Sequence, residues 1–178
     1  VSASSLRFGS SRGWDVRDEA SAWPDNSFDV VSVMEVLEHV IEPLELLRDA
    51  VRLLRPGGAL IGTTPNIESM KFRVLGTKWS VVAPPEHITL FSAKGLGLLL
   101  ARFPLELVSL RASGLNPTEL LRGRGKRVSS AERNAGAQRL VRATSGRKGR
   151  LVKRVSNWVL NALVAGDSLK FTGVKLSE

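Results

Sequence analysis

The chain has 178 residues and a mass of 19.3 kDa, with 43% hydrophobic and 24% charged residues and a mean hydropathy of -0.01. This is the composition of one globular domain or slightly less; it excludes collagen, coiled coil and wholesale disorder, and no apolar run approaches the roughly 20 residues of a membrane-spanning helix. The absence of cysteine excludes disulfides, thiolate metal sites and thiol nucleophiles, and fits a reducing cytoplasm.

The formal charge of +9 is unevenly distributed. Between Leu115 and Gly166 stand twelve Lys or Arg residues against only Glu119 and Glu132, a net +10 that leaves -1 for the rest of the chain. The basic character therefore belongs to one late segment and not to the whole.

Residues 1–22, rich in Ser, Gly and Arg without a sustained period, read as irregular. The chain opens on Val1, and a piece of a longer protein is the expectation. After the turn cluster Pro24–Ser27, the β-branched run Phe28–Met34 predicts a buried strand. Pro43 suits the first turn of a helix whose apolar stripe is Leu44, Leu47, Val51 and Leu54. Arg55-Pro56-Gly57-Gly58 ends that helix, and Ala59–Thr64 reads as a second strand. A strand, helix, strand unit of this kind implies a parallel sheet.

Ile67–Ala83 mixes apolar and basic residues and reads as a lid, leading into Pro84-Pro85-Glu86-His87 as a rigid extended segment. Ser92 is placed to cap a helix running to Ala101, and Leu105–Leu110 alternates as a third strand does. The basic segment contains two loop-like stretches, Gly123–Arg127 and Ser145–Arg150, with helices expected at 130–142 and 151–164. Ser168–Leu176 alternates again and supplies a last strand.

Chemistry concentrates at the two histidines, His39 and His87, each directly preceded by a glutamate, Glu38 and Glu86. Glu35, Glu38 and His39 follow the first strand, at the end of an open α/β sheet where ligands bind. A turn of helix there would bring all three to one side. His87, after the second strand, can face the same cleft. Three readings stay open. The acids can be helix-start residues, with each histidine bonded to a backbone carbonyl. The four side chains Glu35, Glu38, His39 and His87 can hold a divalent cation such as Mg²⁺ or Mn²⁺. Finally, His39 or His87 can act as a metal-free general base. Trp14, Trp23 and Trp79 read as core or lid packing.

Five blocks in order, Pro24–Val31, Glu35–Val40, Leu53–Gly58, Thr64–Asn66 and Pro84–His87, resemble class I S-adenosylmethionine-dependent methyltransferases. The resemblance covers about Asp15 to Leu110, and Gly166–Lys170 resembles the entry to the last strand. It implies a Rossmann-like α/β sheet, truncated at its N-terminal side, with an antiparallel final hairpin and a helical basic insertion before the last strand. The domain division that follows is 1–22 as a remnant of a missing N-terminal half, 23–111 as the core, 112–166 as a basic helical insertion or solvated cap over the active-site mouth, and 167–178 as the last strand.

The Glu-x-x-Glu-His block with a later histidine is similar to small-RNA 2'-O-methyltransferases and quinone-biosynthesis O-methyltransferases. By that similarity Glu35, Glu38, His39 and His87 are metal ligands; without metal, His39 or His87 is the catalytic residue that takes the proton. Asp18, with Asp15 competing, stands where the family's adenine-contacting aspartate lies, and Glu35 joins it on the cofactor side. The family's glycine-rich cofactor turn has no counterpart, because Phe8–Gly13 follows no recognisable strand and opens no helix.

The resulting expectation is O-methylation, with S-adenosylmethionine, of a hydroxylated small molecule or lipid-linked acceptor. A cytoplasmic protein peripheral to an anionic membrane is expected, through the basic segment and the apolar residues Trp158–Val164. Nucleic acid is a weaker partner, since no aromatic residue stands between Leu115 and Asn157 for base stacking. The competing reading is a non-catalytic basic module that binds nucleic acid or anionic membrane.

Overall fold

The computed structural model describes residues 3–115, 154 and 158–177. The first element is a helix, α1 (Ala3–Ser11), where irregular chain was expected. Its residue Gly9 is buried against Val16, and a side chain at Gly9 would overlap the Val16 methyl. A close helix-to-loop contact thus orders a stretch whose composition carries no period. A short 3-10 turn at Ala20–Ala22 follows. Arg52 fastens it by donating to the carbonyls of Ala20 and Trp23, at 2.9 and 3.1 Å, and to Asp25 at 2.7 Å. The hydrogen bond to Asp25 raises the Arg52 guanidinium above its ordinary value despite partial desolvation.

Strand β1 (Phe28–Met34) has the bounds expected from its β-branched run. Helix α2 (Pro43–Leu53) starts on the expected proline and buries Leu47, Ala50, Val51 and Leu53. Strand β2 (Leu54–Pro65) begins earlier than expected. Arg55-Pro56-Gly57-Gly58 does not separate helix from strand but forms an irregularity inside the strand, where the register jumps from Phe28↔Leu54 to Val30↔Ala59. Gly57 has φ +76°, and a Cβ at Gly58 would stand 2.9 Å from the Arg55 carbonyl, so both glycines serve the excursion.

Ile67–Ala83, expected as a lid, contains helix α3 (Met70–Leu75) and a 3-10 turn at Gly76–Lys78. It is partly core, with Leu75 and Trp79 buried and the buried Lys71 ammonium 2.9 Å from Asp167. Trp14, by contrast, is exposed and meets Phe8 edge-on. Pro84–Glu86 is a turn with a cis Pro84–Pro85 bond, not an extended segment. The amides of Glu86 and His87 both donate to the Ala83 carbonyl. Helix α4 (Ala93–Leu100) is capped as expected, the Ser92 hydroxyl accepting from Gly95 N–H at 3.0 Å.

Strands β3 (Leu105–Ser113) and β4 (Ser168–Lys175) complete a four-stranded sheet of order β1-β2-β4-β3. The β1–β2 pair is parallel; β4 lies antiparallel to both β2 and β3. The parallel unit and the antiparallel last hairpin match the sequence expectation. One core joins α2 and α4 to a single face of the sheet: Leu47, Val51, Leu96 and Leu100 pack with Val33, Leu60, Leu169 and Phe171. Alternation decides which strand residues enter it. Val33 of β1 is buried, while its neighbours on the other face, Val30 and Met34, are more than half exposed.

The expected helix at 130–142, both basic loops and most of 151–164 lie outside the described residues. Of that last helix, Arg154 and 158–162 are helical. Leu160 is buried and Val164 packs on the core, whereas Trp158 and Leu163 face outward. Among the described residues no helix is long and apolar enough to cross a membrane.

Candidate functional site

The site forms where β1 and β2 end together. Met34 pairs with Thr63 in parallel register, and the amide of Glu35 donates to the Thr63 carbonyl at 2.9 Å. The chain then leaves the strand through Glu35, whose φ is +54°. A 3-10 turn, Leu37–His39, follows and buries Leu37 and Glu38. This geometry corrects the expected helical turn. The α-helical spacing rule does not apply across a residue in the left-handed region, so Glu35 stays exposed while Glu38 points inward.

Glu38 is 1% exposed, and its Oε2 accepts a 2.9 Å hydrogen bond from the hydroxyl of Thr64, itself fully buried on β2. The other oxygen, Oε1, lies 3.9 Å from His39 Nε2. The loop carrying His87 is tied to the same turn: Ile88 and Thr89 N–H both donate to the Glu38 carbonyl, at 2.8 and 3.2 Å. The imidazoles of His39 and His87 meet edge-on with centroids 4.6 Å apart.

Each histidine also bonds a backbone carbonyl. His39 Nδ1 is 2.7 Å from the Glu86 carbonyl and His87 Nδ1 is 2.5 Å from that of Val81. A carbonyl only accepts, so both Nδ1 atoms carry the proton. In the neutral rings, both Nε2 atoms therefore present lone pairs. Two of the sequence readings turn out to be compatible, because carbonyl bonding occupies one nitrogen of each ring and leaves the other for chemistry.

One donor atom each from Glu38, His39 and His87 lie within 4.8 Å of one another. Two imidazole nitrogens and one carboxylate oxygen form a donor set that suits Mn²⁺, Fe²⁺ or Zn²⁺ better than the all-oxygen preference of Mg²⁺. The residues thus fit a divalent ion. Three of the four expected ligands come together; Glu35 is outside this group. Asp18 lies exposed on the segment between α1 and the turn at 20–22, where its neighbour Asp15 pairs with Arg17.

The sequence reading missed Thr64. Its signal was a hydroxyl on the face of β2 that otherwise carries Leu60 and Gly62 to the core. For S-adenosylmethionine the described residues offer less. Gly9, the first glycine of Phe8–Gly13, is a packing residue against Val16, and no contact to that cofactor follows from the residues of this stretch.

Comparison with known proteins gives a consistent picture. The ubiquinone biosynthesis O-methyltransferase of Parvibaculum lavamentivorans is 38% identical over 63 residues, 34% of this chain and 25% of that protein. The match thus spans about a quarter of that relative's length. A SAM-dependent methyltransferase from Archaeoglobus fulgidus superposes over 98% of this chain and 73% of its own, with TM-score 0.59 and 16% identity. One from Thermotoga maritima does so over 96% and 68%, with TM-score 0.58 and 19% identity. At these identities the superpositions speak to the fold, and the fold is the expected Rossmann-like one. The profile of the family described as "Methyltransferase domain" matches residues 8–110, more than half of the sequence, and the chain belongs to that family.

Proposed function

We propose that this protein takes part in S-adenosylmethionine-dependent O-methylation of a hydroxylated small molecule, with Glu38, His39 and His87 holding a divalent ion beside the acceptor. One observation carries the reading: one nitrogen of each imidazole and one oxygen of the buried Glu38 carboxylate lie within 4.8 Å of one another. A divalent ion in such a set acts as a Lewis acid that lowers the pKa of an acceptor hydroxyl.

The chain's own residues supply the arrangement. The carbonyls of Glu86 and Val81 accept from the Nδ1–H groups of His39 and His87, which fixes the tautomer and the ring plane. Glu38 contributes the negative charge that offsets a cation. The acceptor oxygen, having given up its proton to a base or to solvent, would attack the methyl carbon of the sulfonium, the O–CH₃ bond forming as the S–CH₃ bond breaks and the neutral thioether leaves, a step that needs orientation more than covalent help. The partial likeness to ubiquinone biosynthesis O-methyltransferases supports a hydroxylated, lipid-linked ring as the acceptor class. The basic segment and the outward Trp158 and Leu163 support an anionic membrane as the place where such an acceptor is met.

The test is isothermal titration of the full chain with Mn²⁺, paired with transfer from methyl-labelled S-adenosylmethionine to a catechol. Stoichiometric Mn²⁺ binding that is lost in His39→Ala and His87→Ala, with transfer abolished by EDTA, is the expected result. Transfer that survives EDTA but not the histidine variants would replace the metal reading with a general base at an Nε2 atom. Absence of both binding and transfer would refute the proposal.

A further inference from the structure

Thr64 occupies a position where a hydroxyl is the wrong choice for packing alone. It is fully buried, it stands opposite Leu169 of β4, and its face of β2 also carries the core residue Leu60. Valine has almost the same shape, favours strands as strongly and has no hydroxyl to desolvate. What the hydroxyl does instead is donate to Oε2 of Glu38, across a separation of 26 residues.

We infer that Thr64 is a positioning residue for Glu38, its hydroxyl occupying Oε2 so that Oε1 alone is turned to His39 Nε2 and the cluster shared with His87. The inference deepens the ion-site reading and rests on it. Glu38 is gripped at two points. Its backbone carbonyl takes the amides of Ile88 and Thr89, which fixes the main chain and brings the His87 loop with it. The main-chain grip leaves the side-chain torsions free. Thr64 removes that freedom, and it does so from β2, an interior strand of the sheet with β1 on one side and β4 on the other. A carboxylate held by one oxygen offers the other in a fixed direction, which is what a partner behind a metal ligand contributes.

The experiment compares wild type, Thr64→Val and Thr64→Ser as full chains, with Mn²⁺ alone as the probe, and determines crystal structures of all three without metal. Thr64→Val is expected to weaken Mn²⁺ binding by about 10–100-fold, the range typical for loss of a ligand's hydrogen-bonding partner, and Thr64→Ser to restore it. In the metal-free crystals Glu38 of Thr64→Val should have turned Oε1 away from His39, and Glu38 of Thr64→Ser should not. A purely structural role predicts a different outcome, a lowered melting temperature in Thr64→Val with Mn²⁺ affinity unchanged, and that result overturns the inference. Failure of the wild type itself to bind Mn²⁺ sinks the ion site. The crystals then still judge Thr64, since an unmoved Glu38 in Thr64→Val overturns its positioning role and a displaced one upholds it. Should Thr64→Val not fold, Thr64→Ala against Thr64→Ser makes the same comparison with a smaller side chain.

Discussion

Replacing Glu38 by glutamine should reverse the stability order of variant and wild type depending on whether a divalent ion is present. Glu38 is 1% exposed, with the Thr64 hydroxyl on one oxygen and His39 Nε2 at 3.9 Å from the other. Without metal, a carboxylate charge in that place has, among the described residues, one neutral hydrogen bond against its lost hydration, an arrangement poorer than the paired and fully bonded condition buried charges require. Glutamine keeps the shape. Its amide oxygen can accept from Thr64, and its NH₂ can face the lone pair of His39 Nε2. Removing the charge should therefore stabilise the metal-free protein by about 1–2 kcal/mol, or about 2–8 °C in melting temperature for a chain of this size. With Mn²⁺ at a hundred times its dissociation constant, the wild type gains about 2.7 kcal/mol from ligand linkage, and Glu38→Gln, short of the anionic ligand, gains little. The curves should cross. Thermal melts of both proteins in EDTA and in Mn²⁺ test this. A variant less stable than wild type in EDTA, or one that gains as much from Mn²⁺, would refute the account of Glu38 as a carboxylate kept for an ion at a cost to the fold.

Other outcomes follow from the same geometry. Glu35→Gln should leave Mn²⁺ affinity unchanged by titration, because Glu35 is exposed and outside the cluster of Glu38, His39 and His87. Leu60→Ala, a truncation of a fully buried β2 side chain, should cost about 2–5 kcal/mol in urea unfolding. Gly62→Ala should also destabilise, by about 1–3 kcal/mol, since the new methyl would overlap the Phe171 ring and approach the Val33 carbonyl to 2.7 Å; a neutral effect in the same urea assay would contradict that packing. Ser92→Ala should lower stability by about 1 kcal/mol through loss of the α4 cap, and Ser92→Asp should largely restore it.

What the sequence disclosed, and what it hid, divides along a physical line. Signals carried by neighbouring residues were legible: the β-branched run of β1, the proline start and apolar stripe of α2, the serine cap of α4 and the alternation of β3 and β4. Signals that depend on backbone torsion were not. Glu35 was expected beside Glu38 because a helix places residues at spacings of three and four together, but its φ of +54° interrupts the chain between them. Arg55–Gly58 has the residues of a loop, yet the pairing of its flanks, Leu54 and Ala59, with β1 encloses it within β2. Helix α1 owes its order to a contact between Gly9 and Val16 that no periodicity announces.

The convergence of His39 and His87 was legible for a different reason. Parallel strands joined by a helix must end on the same side of the sheet, so residues just beyond them become neighbours however far apart they stand in sequence. Topology brings the rings together; it does not aim them. The carbonyls of Glu86 and Val81, which hold the Nδ1 atoms of His39 and His87, flank a turn around Pro84–Pro85 that was expected to be extended. Backbone carbonyls have no residue identity, so the groups that orient this site are the ones a sequence cannot spell. Thr64 is the exception, a side chain whose hydroxyl can be read as an anomaly on an apolar strand face before its partner is known.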